Sequence, residues 1–378
     1  MKKFLILYIS ETSGHHTTAT AIETGLQLFS KDSVSIQTVN ALYYLYPYFE
    51  KVIMKAYMGV VKKAPDIWEY LYDNHKVKDK LSGWRERTHR RNIPKIFELI
   101  MAKRPDVIIC TQAYPCGILN AFKKMYGFDF ELYAVVTDYV AHSYWVFDSV
   151  DHYIVPTEEV KEQLMSKGVL EERIKCFGIP LMPRFYKKHD LFETKLRYGI
   201  NNGDKVVTIM GGGQGLLPMK KIIKELDSLS FRLHIIAIAG KNEKLYDSLL
   251  ALKKKIQHKI SVLGYITAVP QIMEISDILI SKPGGVTITE ALVKELPMVI
   301  VRPLPGQEAK NTEFLIKNNI AIKIDSIEEL SGMLTNLFAH ENKIEQMKDA
   351  MRLLRNPRSL QLLTSLILGN KDAALLEV

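Results

Sequence analysis

The feature that most constrains this chain is a pattern that runs twice. Short apolar runs at 4–9, 34–39, 106–110, 132–136 and 152–155 alternate with helical periodicity, at 18–29 and up to about residue 101. After an interruption the alternation restarts, with runs at 205–210, 233–239, 260–262, 278–280, 298–301 and 321–324. A short run with no polar face is a strand covered on both sides, and the helices between such strands are the crossovers of a parallel sheet. Two successive sets predict an α/β chain of two Rossmann-like domains, followed from about 327 by two or more helices with no strand between them. The interruption is GIPLMPR at 178–184, where Gly178, Pro180 and Pro183 break the pattern and polar residues continue to Gly203. This reading places domains at 1–185 and 204–340, a linker at 186–203 and C-terminal helices at 341–378.

Composition excludes several classes. The 378 residues suffice for two buried cores, and 47% hydrophobic with 25% charged residues is a globular balance rather than a disordered one. No apolar run approaches the roughly 18 residues that cross a bilayer. Met1-Lys2-Lys3 and the apolar residues after it imitate a signal peptide, but the run is short and Glu11 follows without a small-residue cleavage site. Cys110, Cys116 and Cys176 lack disulfide or metal-ligand spacing, which fits a reducing cytosol.

The formal charge is +9, from 51 Lys+Arg against 42 Asp+Glu, and it is unevenly spread. Residues 51–95 hold twelve Lys/Arg against Asp66, Glu69, Asp73, Asp79 and Glu86, a local +7 that becomes +6 if Glu50 is counted. Tyr43, Tyr44, Tyr46, Tyr48, Tyr57, Trp68, Tyr70, Tyr72 and Trp84 are interleaved with them. Rings at headgroup depth and cations on anionic lipid suit a membrane interface. A solvated helical face over an aromatic core is the other reading of the same residues. A nucleic-acid partner is not expected, since no zinc-finger, helix-turn-helix or ribonucleoprotein signature accompanies the charge.

Four loops after strands carry candidate chemistry. In SETSGHH (10–16), Gly14 permits a tight turn at a helix start, Thr17 and Thr18 are candidate caps, and His15 and His16 are candidate general bases. In GGGQG (211–215), Gly212 and Gly213 expose successive N–H groups suited to a diphosphate, without dinucleotide-fold or P-loop spacing. In SKPGGVTITEA (281–291), Gly284 and Gly285 open the backbone to a ligand. Glu290, expected in the first helical turn, is placed to accept a pair of hydroxyl hydrogens such as a ribose diol. In RPLPGQEAKN (302–311), Gln307 and Glu308 begin a helix and are of the type that reads sugar hydroxyls. Asp138, in VVTDY at the end of a strand, faces the crevice as an orienting or a structural carboxylate. No Asp-x-Asp occurs, which argues for neutralising a leaving diphosphate with backbone dipoles and cations rather than a metal.

With these residues in view, SKPGGVTITEA and PLPGQEAKN resemble the donor site of the family that holds bacterial diacylglycerol glucosyltransferases and plant monogalactosyldiacylglycerol synthases. GGGQG resembles the phosphate loop of their relative, the peptidoglycan lipid-intermediate N-acetylglucosaminyltransferase. VVTDYVAHSYW and FGIPLMPRF are similar to the lipid-glycosylating branch, and the likeness runs in order over about residues 4–340. The resemblance implies the glycosyltransferase B architecture, two Rossmann-like domains facing across a cleft with C-terminal helices packing back toward the first. It implies inverting transfer of a hexose, glucose before galactose, from a UDP-sugar to the sn-3 hydroxyl of diacylglycerol, on the cytoplasmic face of a membrane and without a cofactor.

By the same resemblance Tyr265 and Ile266 lie against the uracil, Glu290 holds the ribose, and Gly212 and Gly213 take the diphosphate. Gln307 and Glu308 bind the hexose, and His15 is the base with Asp138 in support. Three features depart from the family pattern. Ser13 stands where a further glycine is usual, and one residue is missing from that loop. The pair His15-His16 leaves the base ambiguous, with the alignment of Ala19, Ala21 and Ile22 favouring His15. Met182 replaces a hinge arginine, for which Arg184 is the candidate substitute. A UDP-sugar epimerase, a transferase on a polyprenyl-linked precursor and a non-catalytic UDP-sugar sensor are the rival readings.

Overall fold

The computed structural model describes residues 1–30, 33–48, 52, 59, 75–212 and 217–369. The strands are β1 (Lys2–Tyr8), β2 (Val34–Asn40), β3 (Val107–Cys110), β4 (Glu131–Val135), β5 (His152–Val155) and β6 (Ile174–Cys176), then β7 (Lys205–Met210), β8 (Leu233–Ile238), β9 (Lys259–Leu263), β10 (Ile278–Ser281), β11 (Met298–Val301) and β12 (Ala321–Ile324). They form two six-stranded sheets, ordered β2-β1-β3-β4-β5-β6 and β12-β11-β10-β7-β8-β9, and every pairing is parallel. This is the expected α/β architecture. Its strands match the apolar runs within a residue or two, except for β6, a three-residue edge strand with no such run.

The chain divides into two units. One comprises Met1–Pro183, Leu304–Gln307 and Asn356–Val378, the other Arg184–Pro303 and Glu308–Arg355. Alternation along β1 shows why the first sheet needs cover on both faces. Leu5 and Leu7 join a core with Ile93, Ile96 and Phe122 from the helices His75–Lys103 and Ala113–Tyr126. Phe4, Ile6 and Tyr8 point the other way, onto Ile22 and Leu26 of the helix Gly14–Phe29 and Leu363 and Ile367 of the helix Ser359–Leu368. That last helix lies so close that a Cβ on Gly25 would stand 2.7 Å from a Leu360 methyl carbon. Lys2 Nζ also donates to the Ile367 carbonyl at 2.8 Å.

Two boundaries differ from the sequence reading. The 341–378 block is split, because the helix Glu341–Leu354 packs in the second unit while Ser359–Leu368 completes the first. The segment 186–203 is part of the second unit rather than a linker. It carries the helix Leu191–Arg197, capped by Asp190 and packed on the helix Val269–Ile275. Among the described residues no helix is long and apolar enough to cross a membrane. Of the basic aromatic segment, residues 49–51, 53–58 and 60–74 lie outside the described residues.

Candidate active site

In the first unit the chemistry gathers where the topology reverses. β1 is flanked by β2 and β3, so the loops after β1 and β3 diverge and leave a crevice at the carboxyl ends of the strands. The loop after β1 enters the helix Gly14–Phe29 through Ser13, whose Oγ accepts the His16 N–H at 3.4 Å and donates to the Ile9 carbonyl at 2.7 Å. Ser13 is therefore the cap, not Thr17 or Thr18. Gly14 is an ordinary right-handed first residue of the helix, so the turn does not require glycine there.

His15, one residue into that helix, is half-buried and fixed. Its Nδ1 lies 2.8 Å from the Thr111 carbonyl oxygen and 2.9 Å from Thr137 Oγ1. A carbonyl can only accept, so Nδ1 carries the proton and Nε2 keeps the lone pair of a base. The Thr111 hydroxyl closes the clamp by donating to the His15 carbonyl at 3.0 Å. Both threonines are buried, Thr111 just after β3 and Thr137 two residues after β4. Neither was assigned a role from sequence. The only cue was a hydroxyl residue closing a buried apolar run, as in VIICT and AVVT.

His16 turns elsewhere. Its Nδ1 is 3.0 Å from the Glu11 carbonyl and its ring stacks on Tyr8 with centroids 4.5 Å apart. Asp138 does not orient His15. Its Oδ2 accepts from Gln307 Nε2 at 2.7 Å, so two residues expected in different roles meet each other.

Burial pushes the His15 imidazole down to about 4, against the smaller opposing effect of the Thr111 carbonyl. Desolvation disfavours the cation, so the base form persists well below the usual imidazole range. With saturating donor, kcat/KM for the acceptor is expected to stay flat through pH 6.5 and to fall only as pH approaches 4. An acid limb near pH 6.5 contradicts this placement.

The second unit repeats the device. β7 sits between β8 and β10, and the loops after β7 and β10 are the two glycine-rich stretches. Ser281 Oγ ties the strand ends together by donating to the Met210 carbonyl at 2.7 Å. Gly212 has φ +71°, and a Cβ there would meet nothing within 4 Å, so glycine serves the backbone and open space rather than packing. Gly213 lies outside the described residues.

After β10, Gly284 caps the helix Gly285–Val293 without a side chain, and space opens where its Cβ would be. The first N–H groups of that helix are thus left for an anion. Asn311 Nδ2 pins the loop by donating to the Pro283 carbonyl at 2.9 Å. Beside it Lys282 Nζ lies 3.5 Å from Glu308 Oε2.

Glu290 is the sixth residue of this helix, not a first-turn residue, so attraction to the helix dipole does not explain it. It is buried, and burial pushes its carboxyl up to about 8 against the opposing positive charge of Arg184. The Arg184 Nε is itself buried without a hydrogen-bond partner among the described residues. Tyr265 and Ile266 follow β9; Tyr265 is exposed, with Lys241 Nζ 5.2 Å from its ring centroid, and Ile266 is half-buried. Among the described residues no group of three or more His, Cys, Asp or Glu is placed to hold a metal ion.

Residues 15–181 match the family profile described as monogalactosyldiacylglycerol (MGDG) synthase, and 206–362 match the glycosyltransferase family 28 C-terminal domain. Among solved structures, Acinetobacter baumannii MurG is 16% identical with a TM-score of 0.62, over 98% of this chain and 100% of that one. Staphylococcus aureus MnaA, solved with UDP, is 14% identical with a TM-score of 0.62, over 97% and 96%. The fold is that of a two-unit glycosyltransferase B protein. A processive diacylglycerol beta-glucosyltransferase of Bacillus pumilus is 32% identical over 74% of this chain and 72% of its own length. One of Bacillus cereus strain B4264 is 28% identical over 98% and 94%. The chain belongs to the family of the processive diacylglycerol beta-glucosyltransferases.

Proposed function

We propose that this protein transfers a hexose, glucose in preference to galactose, from a UDP-sugar to the sn-3 hydroxyl of 1,2-diacylglycerol with inversion at the anomeric carbon. The observation that carries the reading is His15, an imidazole in a chain of this family with Nδ1 committed to Thr111 and Nε2 left as the base. Nε2 takes the acceptor's proton as its oxygen attacks C1, and the diphosphate leaves from the opposite face. The N–H groups after Gly284 and the loop at Gly212 receive the charge that develops on that diphosphate. Glu290 holds the ribose, Tyr265 and Ile266 flank the uracil, and Glu308 with Gln307 reads the hexose.

Charge is neutralised by dipoles and side-chain cations, so turnover continues in excess chelator. The protein works peripherally at the cytoplasmic membrane face, drawn there by the basic aromatic segment 43–95, within which Tyr43 and Tyr48 are exposed. Incubation with diacylglycerol and labelled UDP-glucose or UDP-galactose, followed by separation of the lipids, tests the reading and counts the hexoses added. A glycosylated lipid is the expected product. Donor consumed equally with and without lipid, or a donor merely epimerised, overturns it.

A further inference from the structure

The helix Leu191–Arg197 of the second unit is built inside out. At 100° per residue, Leu191, Lys195, Phe192 and Leu196 follow one another around a continuous arc of about 140°. Thr194 is the buried residue of the helix, and Phe192 and Leu196 stand about 160° from it around the axis. Accessibility follows that geometry: Leu191 is 47% exposed, Leu196 68% and Phe192 74%. A helix on a globular protein ordinarily turns its apolar arc to the core. This one, packed on the helix Val269–Ile275, buries a threonine and presents a phenylalanine and two leucines to water. One exposed leucine needs no explanation, but three large apolar side chains sharing one solvent-facing arc are the mark of a contact surface.

The charges around the arc identify its occupant. Lys187 and Lys188 are exposed just upstream, and Lys195 lies inside the arc between Leu191 and Phe192. The two acids of the stretch are engaged within the helix. Asp190 accepts the Glu193 N–H at 2.9 Å as the cap, and Glu193 pairs with Arg197 at 2.8 Å. Among the described residues Lys187, Lys188 and Lys195 enter no ion pair. A lysine in the middle of an apolar patch is disfavoured in the core of a protein–protein interface, where lysine is depleted. At a bilayer the same lysine lays its stem along the apolar surface and its ammonium among lipid phosphates.

We propose that the helix Leu191–Arg197, with Lys187 and Lys188, is a lipid-docking face carried by the nucleotide-sugar unit itself, and that its occupant is an anionic bilayer. Phe192, Leu191 and Leu196 enter the boundary between headgroups and acyl chains, while Lys187, Lys188 and Lys195 meet the phosphates. The inference rests on the reading of the protein as a transferase to a lipid acceptor, and adds an anchor outside the basic aromatic segment.

The test is sedimentation of the full-length protein with vesicles of equal parts phosphatidylglycerol and phosphatidylcholine. The Phe192→Ser/Leu196→Ser variant is expected to lose about tenfold or more in vesicle affinity. Its circular dichroism and UDP affinity are expected to match the wild type, because both side chains point into solvent. Lys187→Glu/Lys188→Glu is expected to weaken binding as well, with the difference shrinking as salt rises. Wild-type vesicle affinity in the serine variant overturns the proposal. So does a wild-type dimer in light scattering that the serine substitutions turn into a monomer, since the face is then an interface between copies. Vesicle binding is read without turnover, so a protein that glycosylates no lipid fails the functional reading alone.

Discussion

His15→Ala is expected to lower the turnover of glycosyl transfer by about 10²–10⁴-fold while leaving UDP affinity unchanged. The size follows from what the side chain alone supplies. Two buried threonines hold Nδ1, which fixes the tautomer and aims Nε2 from the carboxyl edge of the first sheet. Removing the ring removes the proton acceptor but leaves the cap at Ser13 and the helix it starts. The nucleotide residues proposed here belong to the other unit, so ground-state donor binding has no reason to change. His16→Ala is the matched control, because that ring serves the Glu11 carbonyl and Tyr8 and its loss removes no base. Wild-type turnover in His15→Ala, with loss in His16→Ala, reverses the assignment.

Glu290→Ala is expected to weaken UDP binding by roughly 10–150-fold, the worth of about 1.5–3 kcal/mol for hydrogen bonds to a charged acceptor. The unliganded carboxyl is pushed up to about 8 by burial. Two ribose hydroxyls are accepted best by the ionised form, one on each oxygen, so binding below about pH 8 favours release of a proton. Wild-type affinity therefore rises with pH until it passes about 8 and then levels. Glu290→Gln is expected to bind weakly and without this dependence. Calorimetry in two buffers of different ionisation enthalpy measures the released proton directly. Unchanged affinity in Glu290→Ala removes the ribose role, and a pH-independent wild type removes the linkage.

The parts legible in the sequence were those whose physics is written in side chains. Strands such as β3 and β11 are inner strands buried along their whole length, so their residues are apolar without interruption and their limits show in the letters. The glycine-rich loops were visible because backbone approach to an anion demands absent side chains. What escaped was written in the backbone or in solvent. Thr111 acts on His15 through a carbonyl, which every residue possesses, so no letter marks it. β6 is three residues at a sheet edge, too short for a pattern. The helix at 191–197 sits in a polar stretch that continues to Gly203, which reads as linker, and its three large apolar residues face solvent rather than a core. Glu290 was placed a turn too early because the helix starts at a glycine that offers no capping side chain to count from.

The helix Ser359–Leu368 gives the chain an unusual order of completion. The strands β1 to β6 are synthesised first, yet one face of their sheet lacks Leu363 and Ile367 until some 180 later residues have been made. The second unit, Arg184–Pro303 and Glu308–Arg355, is complete before that helix emerges. The half made first is thus finished last, and while it waits, Phe4, Ile6, Ile22 and Leu26 await the cover that Leu363 and Ile367 bring. A first unit cut after Pro183 is consequently not a domain in miniature, because its core is written partly in residues 359–368.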